Sequence, residues 1–600
     1  MTGTVSDQLV ERLHRWGVDR AFGFSGDGID PILAALRRAG RPELVTARHE
    51  ESAAFMATAH SKWTGRLGCC LATHGPGAIH LLNGLYDAKL DKRPVLAIIG
   101  QQHRSALGSG YQQEIDVTAL YKDVCSSFLQ LVTTPEQLDQ VVDRAVRTAL
   151  ATRSPTAVVL PHDVQRADAS ERLGREHGII ATAVTGQHEP TVLPPVDALD
   201  AAAHVLDAGE RIALLVGQGA AGARNEVIAV AERLGAGVAT SLLGKFVVPD
   251  DLPYATGPVG HLGTTASTEL MDGCDTLLMV GTNEPYTEFL PPPGQARAVQ
   301  IDVDGRRIGT RYPTEVDLIG DARATLSALL PRLLVRRRGD WQARVEAAVS
   351  AWHDVAAHRA MQPAEPLHPE LLLHELSPRL PEDALLGVDV GSVTYWYARH
   401  IRSRDRIRGH LSSTLASMGS ALPYAIAAKL AHPDRLVVAL SGDGAMQMDG
   451  INELITVARM WRDWPDPRLP VLVLDNGDLN EVTWEQREQE GDPRFAGSQS
   501  VPSVPYARWA ELLGLDGTEV DGPGEVGGAW DAALSADRPF VIHAHVDPAV
   551  PLLPPRVEPA QRDHLLAGLE QEQGEVGRRA LEMVRRQLDE LDRCRAAFGG

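Results

Sequence analysis

The stretch 435-RLVVALSGDGAMQMDGINELITVARMWRDWPDPRLPVLVLDNGDLN-480 contains two apolar runs that each end in polar residues. LVVAL and LPVLVL are continuously apolar, which is typical of strands covered on both faces of a parallel sheet. The segment between them carries apolar residues at helical spacing: Met448, Ile451, Leu454, Ile455 and Ala458. This pattern predicts a strand-helix-strand unit whose right-handed crossover makes the strands parallel. Asp443 and Asn476 are then expected at the carboxyl ends of strands, the edge where open α/β sheets bind ligands.

These residue types predict a metal-bridged phosphate site at that edge. The Asp443 carboxylate, the Asn476 amide oxygen and the backbone carbonyl of Asp478 form half of an oxygen shell for Mg²⁺. That ion takes about six oxygen ligands and usually draws the rest from phosphates and water. Gly442 and Gly444 let the backbone approach an anion, which the following helix N-terminus also favours. The alternative is a pair of ordinary turns in an α/β protein.

The composition is that of a globular protein and excludes several classes of function. The chain has 600 residues, a net charge of -21 and 44% hydrophobic residues. An acidic chain disfavours nucleic acid and anionic membrane surfaces as partners. The five cysteines have no metal-ligand spacing, which favours a reducing cytosol. No signal sequence and no run of 18 apolar residues stands out. We therefore expect a cytoplasmic protein without membrane association.

Short apolar runs alternate with helical patterns along the whole chain. This alternation predicts an α/β fold with three doubly wound parallel-sheet domains and a C-terminal helical tail. The expected domains are 1–165, 196–335 and 366–550. Polar stretches at 166–195 and 336–365 are expected to be linkers, and 551–600 is the tail.

The quoted stretch resembles the thiamine-diphosphate motif of the superfamily of pyruvate oxidase, quinone-linked pyruvate dehydrogenase and acetolactate synthase. The resemblance implies that Asp443, Asn476 and the Asp478 carbonyl hold Mg²⁺ against the diphosphate. The resemblance also implies that Gly442, Gly444 and Ala445 form a turn that contacts the cofactor. It makes 1–165 the pyrimidine-binding domain, 196–335 a central, possible FAD-binding domain and 366–550 the diphosphate- and magnesium-binding domain. The first asparagine of the family pair is replaced by Asp475, which adds a negative charge unless that group is paired or protonated.

Further segments resemble other parts of the same cofactor site. ELVTARHEESAAF matches the family's strand and helix that carry the activating acid, which implies that Glu50 contacts the aminopyrimidine. A capping or solvent-facing glutamate is the alternative. Around it the resemblance assigns a glycine-rich surface: Gly26, Gly75, Pro76 and Gly77. His74 is either a proton carrier or a structural residue, and Gln113 matches the family's active-site glutamine, although Gln112 replaces the usual aromatic residue.

Two segments of the third domain resemble the rest of the diphosphate and thiazolium site. DVGSV implies that Gly391 and Ser392 donate to the diphosphate. LASMGSALP implies that Ser417 and Met418 lie under the cofactor and hold its two rings in the bent form that the chemistry requires. A methionine at such a position is otherwise a core residue.

The middle domain carries two competing signals. GQGAAG, residues 217–222, spells the dinucleotide fingerprint after a strand-like run, but the acid expected about twenty residues later is missing. The domain instead resembles the FAD-binding domain of pyruvate-oxidising relatives. The positions that this resemblance implies for FAD are Gly260, Gly281, Thr282, Asn283 and Asp302.

The resemblance implies a thiamine-diphosphate- and Mg²⁺-dependent enzyme that decarboxylates a 2-keto acid, with pyruvate as the expected substrate. The enamine that remains is then oxidised through FAD, with quinone or oxygen as acceptor. The alternative is an acetolactate synthase-like carboligase, in which the enamine attacks a second carbonyl compound. Trp484 lies one residue out of register with the carboligase tryptophan. A non-catalytic relative is a third hypothesis, which the presence of Glu50, Asp443 and Asn476 disfavours.

The assembly and the tail are also predicted. Because Glu50 and the metal ligands lie in different domains, the family arrangement is a homodimer or homotetramer with active sites shared between subunits. The tail has an apolar stripe of Leu581, Val584, Leu588 and Leu591 among mixed charges. We expect this stripe to pack on a partner subunit rather than on anionic lipid.

Overall fold

The computed structural model describes residues 3–170, 185–186, 190–283, 286–336, 339–404 and 406–598. The predicted linker 166–195 therefore lies in large part outside the described residues. Where the chain resumes at 190–195, the Val192 carbonyl accepts a hydrogen bond from Asp321 N, so this segment is attached to the middle domain.

The N-terminal domain is a parallel six-stranded sheet flanked by helices. Its strand order is β2-β1-β3-β4-β6-β5. The strands are β1 Arg20–Gly23, β2 Glu43–Thr46, β3 Gly68–Ala72, β4 Val95–Gln101, β5 Leu129–Leu131 and β6 Pro155–Pro161. The helices are α1 Val5–Arg15, α2 Asp30–Ala39, α3 Glu50–Thr64, α4 Pro76–His80, α5 Leu82–Leu90, α6 Val117–Leu120, α7 Leu138–Thr152 and α8 His162–Arg166.

The middle domain has a different strand order, β12-β11-β10-β7-β8-β9. This is the order of dinucleotide-binding sheets, whose ligands lie where the order reverses, here between β7 and β10. Its strands are β7 Ile212–Val216, β8 Gly237–Thr240, β9 Ala255–Pro258, β10 Thr276–Val280, β11 Arg297–Asp302 and β12 Val316–Ile319. The helices are α9 Val196–Ala208, α10 Arg224–Leu234, α11 Thr265–Gly273 and α12 Ala322–Leu329.

The C-terminal domain repeats the topology of the first, with the order β14-β13-β15-β16-β18-β17. Its strands are β13 Leu385–Val388, β14 Arg408–His410, β15 Val437–Gly442, β16 Pro470–Asp475, β17 Asp516–Val520 and β18 Phe540–His545. Its helices are α14 Pro369–Arg379, α15 Ser392–His400, α16 Ala421–Ala431, α17 Asp443–Ala445, α18 Ile451–Met460, α19 Asn480–Glu490, α20 Ala496–Gln499, α21 Tyr506–Leu512 and α22 Val526–Ser535. The three parallel sheets confirm the predicted fold class.

The first and third domains share one apolar core. Helices α3 and α16 pack against each other, and one buried cluster runs from Phe55 of the first domain through Tyr424 to Val473 of the third. In both domains the strand order reverses between the first and third strands, so each has a ligand-binding crevice at the carboxyl ends of these strands.

Two expectations about the connecting segments are corrected. The stretch 336–365, predicted as a linker, consists mostly of the helix α13, Asp340–Ala360, which buries Val345, Val349 and Trp352. The tail forms α23 Pro559–Glu570 and α24 Glu575–Phe598. Its apolar stripe packs on its own chain rather than on a partner, because Val584 and Leu588 belong to the buried core of the third domain. Among the described residues, no helix is both long and apolar enough to span a membrane.

Candidate active site

The residues predicted to bind Mg²⁺ meet at the ends of β15 and β16. Asp443 is buried at the start of α17, and its carboxylate accepts hydrogen bonds from Gly444 N and Gly477 N, both at 2.8 Å. The Asn476 amide oxygen accepts from Asp478 N at 3.0 Å. Gly477 has a φ of 66°, the left-handed conformation that glycine adopts without strain. The turn 476–478 thus wraps against Asp443 and collects the predicted ligands in one place.

The charges at this turn fit a divalent cation. Burial and, to a lesser extent, the negative charge of the neighbouring Asp475 raise the pKa of Asp443 to about 7. Two carboxylates at adjoining strand ends are costly to ionise together in a poorly solvated site unless a cation compensates them. Carboxylate, amide and carbonyl oxygens are the ligands that Mg²⁺ prefers. The residues present therefore suit a magnesium-bridged diphosphate.

Asp475, which departs from the family pattern, has its own partner. Its carboxylate lies 2.9 Å from Nε2 of His543 and 3.3 Å from the Ser503 hydroxyl, and His545 Nδ1 is 3.9 Å away. Burial opposes ionisation of Asp475, but the hydrogen bonds from His543 and Asp443 leave its pKa below the usual value. The extra charge is thus paired from the neighbouring strand β18, by a partner that the sequence analysis did not identify.

The side of the crevice predicted to bind the diphosphate is organised by Asp389, which the sequence analysis did not single out. Its buried carboxylate accepts from the backbone N–H groups of Val390, Gly419 and Ala421, at 2.8 to 3.2 Å, and from the Ser441 hydroxyl. It thereby joins the turn after β13 to the 417–421 segment and to β15. Only its position directly after an apolar strand could have indicated this role.

The remaining residues predicted on this side fall where the strand order reverses. Gly391, with a φ of 130°, precedes the first helical residue Ser392 at the N-terminus of α15. The Met418 side chain lies over Gly444, since a Cβ added at Gly444 would be 3.2 Å from Met418 Cε. Ser417 accepts a 2.8 Å hydrogen bond from Asn83 of the first domain.

Glu50 lies at the start of α3 with only 8% of its surface exposed, so it is not a solvent-facing residue. Its carboxylate is 3.0 Å from Nδ1 of His80, whose ring stacks on His49 with centroids 4.4 Å apart. Gly77 closes over it, because a Cβ there would be 3.1 Å from Glu50 Oε1. The sequence analysis missed His80, although it follows the Gly-Pro-Gly turn on the helix that begins at Pro76.

The other predicted residues of the first domain surround the same turn. Gly75, with a φ of 61°, packs against Gln113, since an added Cβ would be 2.8 Å from Gln113 Cβ. Gly26 packs equally tightly on Thr73. His74 is 4% exposed and lies against Gly28. This packing gives His74 a structural part, and a proton-carrying role stays a prediction.

The positions predicted for FAD lie around the point where the middle sheet reverses its order. Gly281 follows β10, and the buried Thr282 hydroxyl has no hydrogen-bond partner among the described residues. Asp302 ends β11, and burial raises its pKa. The Asn283 side chain accepts from Thr310 at 2.8 Å, and Gly260, with a φ of 100°, lies in the loop after β9. An unpartnered hydroxyl and a nearby acid suit a ribose- or ribityl-bearing ligand.

The GQGAAG segment has a structural explanation. A Cβ at Gly217 would lie 2.4 Å from the Gly281 carbonyl, and one at Gly219 would lie 2.8 Å from Gly281 Cα. The two glycines are therefore needed for the contact between the turns after β7 and β10. This close packing accounts for the motif without a nicotinamide cofactor.

Trp484, which kept the carboligase alternative open, is in the protein core. It is 2% exposed, and the Arg487 guanidinium lies 4.3 Å from its ring centroid. Glu481 lies on the same helix α19, and its pKa is raised to about 7 by burial and, to a lesser extent, by the charge of Glu485. The indole is therefore committed to the core of its own domain.

Comparison with known proteins identifies the three domains. Family models match in order: thiamine pyrophosphate enzyme, N-terminal TPP binding domain, at residues 3–120; the central domain at 199–329; and the C-terminal TPP binding domain at 389–544. The tail after residue 544 lies outside all three.

Relatives that match most of the chain agree with these family models. A Bacillus subtilis (strain 168) protein, named as thiamine pyrophosphate-containing, is 34% identical over 92% of both chains. The acetolactate synthase isozyme 2 large subunit of Escherichia coli (strain K12) is 32% identical over 91% of this chain and 97% of its own. The pyruvate oxidase of Lactiplantibacillus plantarum is 32% identical over 73% of this chain and 72% of its own. The chain therefore belongs to the thiamine pyrophosphate enzyme family and is a thiamine-diphosphate-dependent 2-keto acid enzyme of the pyruvate oxidase and acetolactate synthase group.

Proposed function

We propose that this enzyme decarboxylates pyruvate and passes two electrons from the remaining two-carbon unit through FAD to quinone or oxygen. The observation that carries the oxidative assignment is the crevice of the middle domain. It has the strand order of dinucleotide-binding sheets, and at its edge lie Asp302 and the Thr282 hydroxyl, which has no partner among the described residues. The pyruvate oxidase relative supports the same assignment.

Each part of the site has a proposed role. Asp443, Asn476 and the Asp478 carbonyl hold Mg²⁺ against the diphosphate, and Gly391 and Ser392 donate to it. When bound, thiamine diphosphate supplies the nucleophilic carbon and the electron sink for decarboxylation. Glu50, buried beside His80, holds a proton at the aminopyrimidine nitrogen. Met418 supports the cofactor from below, and Gln113 contacts the substrate.

The carboligase is the second candidate, because acetolactate synthases are among the relatives. The burial of Trp484 favours the oxidase, since the residue nearest to the carboligase acceptor tryptophan is not available to line a pocket. We further propose a cytoplasmic homodimer or homotetramer in which Glu50 of one subunit and the metal-binding turn of another complete each site.

A flavin experiment tests this function. Purified protein, saturated with thiamine diphosphate and Mg²⁺, is expected to show a flavin spectrum that bleaches when pyruvate is added without oxygen and recovers with oxygen or a quinone dye. An Asp443→Asn variant is the matched control, because it should keep the flavin but not bleach. Acetolactate formation without bleaching would establish the carboligase instead. Cofactor retention with no turnover of any 2-keto acid would establish the non-catalytic relative.

A further inference from the structure

A cavity of about 400 Å³ lies between the middle domain, α13 and the C-terminal domain. Its walls come from β9 and the 245–251 segment, from Trp352 and His353 of α13, from the end of α14, and from residues 398–404 after α15. None of the residues proposed to hold thiamine diphosphate, Mg²⁺ or FAD lines it. It is therefore a separate compartment, large enough for a small organic ligand.

The cavity is cationic in a strongly acidic protein. Its described lining contains Lys245, Arg399, Arg402 and Arg404 against two carboxylates, Asp250 and Asp251, while the whole chain has a net charge of -21. Asp250 is already engaged: it accepts from Ser403 N at 2.7 Å and lies 3.5 Å from the Lys245 ammonium. Asp251 is exposed to solvent. Among the described residues, the arginines of the wall are thus left without a carboxylate of their own.

Arg399 shows this imbalance in a buried position. Its side chain donates to two backbone carbonyls, those of His261 and Leu553, and its Nε has no partner among the described residues. The residue is 9% exposed. A buried guanidinium without a carboxylate is costly, and a buried unsatisfied donor calls for an explanation such as an unrecorded anion or water.

The other groups on the wall are donors as well. The Ser403 hydroxyl is fully buried and has no partner among the described residues. His353 and His374 face the same space, and burial, with Arg402 among the nearby charges, lowers the pKa of both. The Arg402 guanidinium makes no hydrogen bond or ion pair with any described residue. Cations and imidazoles thus line this cavity with few carboxylates among the described residues to match them.

We infer that this cavity binds a small organic phosphate, whose oxygens accept from the guanidinium groups of Arg402 and Arg399. A phosphate group is the chemistry that satisfies several converging donors at once, since guanidinium groups bind it through paired N–H bonds and it offers more acceptor oxygens than one carboxylate. The volume leaves room for a short carbon skeleton beyond the phosphate. This binding site goes beyond the proposed decarboxylation and requires neither flavin nor substrate turnover.

The test uses the holoenzyme, because saturating thiamine diphosphate and Mg²⁺ occupies the cofactor's own phosphate site. Titration calorimetry with glycerol 3-phosphate is expected to show binding that weakens as salt is raised. Arg402→Met should weaken it roughly tenfold or more. Arg508→Met removes an equally cationic and likewise exposed side chain of α21, far from this cavity in sequence and paired with Glu511, and should leave binding unchanged.

Three results would overturn the inference. The first is that glycerol 3-phosphate gives no binding heat. The second is that Arg402→Met and Arg508→Met bind it equally well, which would move the site elsewhere. The third is that succinate binds as tightly as the phosphate, which would make the site one for carboxylates. Arg402 is exposed and its side chain holds no other residue, so the melting temperature of its variant should match the parent and separate lost binding from lost folding.

Discussion

Two groups of buried charges lie where the first and third domains meet, and they differ in how far their charges are paired. In the Lys62 cluster, formed by Lys62, Asp87, Asp91 and Tyr424, the ammonium bonds Asp91 at 2.7 Å, the Tyr424 hydroxyl at 2.6 Å and the Leu411 carbonyl at 2.7 Å. Both charged partners are fully buried. Nearly every donor and acceptor has a partner.

The Glu453 cluster, formed by Glu51, Asp449 and Glu453, brings three acids together, and the charge of Arg48 acts on Glu453. One carboxylate oxygen each of Asp449 and Glu453 is buried with no partner among the described residues. Burial and, to a lesser extent, the negative charge of Glu51 raise the pKa of Asp449 to about 7. Burial also raises the pKa of Glu453. The cluster adjoins the helix that begins at Glu50, and Glu453 accepts from Arg48 N at 2.7 Å.

The difference in hydrogen-bond satisfaction between the two clusters suggests different roles for them, one in stability and one in catalysis. Satisfied buried networks fix one packing of two domains, whereas perturbed acids tend to collect at functional sites. The Lys62 cluster should therefore affect stability when it is changed, and the acids around Glu50 should affect activity and pH dependence.

The largest expected effect is on catalysis at Glu50. Glu50→Gln keeps the shape of the side chain but cannot exchange a proton, so kcat should fall by about 10²- to 10⁴-fold. Steady-state turnover with pyruvate and a dye acceptor measures this, while the melting temperature should stay close to that of the parent. Glu43→Gln, at an exposed pair with Arg20, is the matched control. If turnover of the two variants were equal, the functional side of the comparison would fail.

The next effect is on stability at the Lys62 cluster. Lys62→Met removes the ammonium that pairs with two buried carboxylates, and breaking such a pair costs about 3–5 kcal/mol. The midpoint of urea unfolding of the first cooperative transition should fall accordingly. Adding Asp91→Asn should recover part of the loss, because the uncompensated charge is gone. An unchanged midpoint would show that the cluster does not hold the domains together.

The third effect is a dependence of stability on pH at Asp449. Its pKa is raised on folding, so the native state binds the extra proton and stability falls as the pH rises from about 4 through 7. Asp449→Asn should remove this fall: the variant should be more stable than the parent at pH 8, with the difference vanishing near pH 4. Melting temperatures across that range measure it. Parallel curves for both proteins would contradict the buried, uncompensated state of this acid.

The sequence predicted those parts of the site that depend on local patterns. Apolar runs ending at Asp443 and Asn476 locate the sheet edge, and the turn chemistry follows from the same residues. The phase of the next helix was harder to predict, because a π-helical turn at Met446–Gly450 inserts an extra residue. Met448 and Ile455, predicted on the apolar face, are consequently 53% and 38% exposed.

Partners from distant parts of the chain could not be predicted. The pairing of Asp475 with His543 joins residues on two neighbouring strands that are far apart in sequence, and the sequence shows no sign of it. The polar composition of 336–365 concealed a helix with few apolar residues, and a stripe such as Val584 and Leu588 indicates burial but not the surface that covers it. Local periodicity gives the elements, while their contacts depend on the tertiary fold.

The smallest expected effect is at a compensated network that reaches the metal-binding turn itself. Glu572, from the tail beyond the three family domains, accepts two hydrogen bonds from Arg487 of α19, at 2.6 and 2.9 Å, and one from Arg494 N at 3.0 Å. Arg494 in turn donates to the Asp478 carboxylate at 2.8 Å. The tail is thus connected through Arg494 to Asp478, a residue proposed to hold Mg²⁺.

Glu572→Gln weakens these charge-assisted bonds without emptying the space, at a cost of about 1–3 kcal/mol. If satisfied networks hold only the fold, the melting temperature should fall and thiamine diphosphate should bind as before. Because this network supports the 476–478 turn, we expect instead a several-fold weaker affinity of the apoprotein for thiamine diphosphate and Mg²⁺, measured by calorimetry. Glu575→Gln, an exposed acid of the same tail, should change neither quantity. An unchanged cofactor affinity in Glu572→Gln would restore the strict division between the two kinds of cluster.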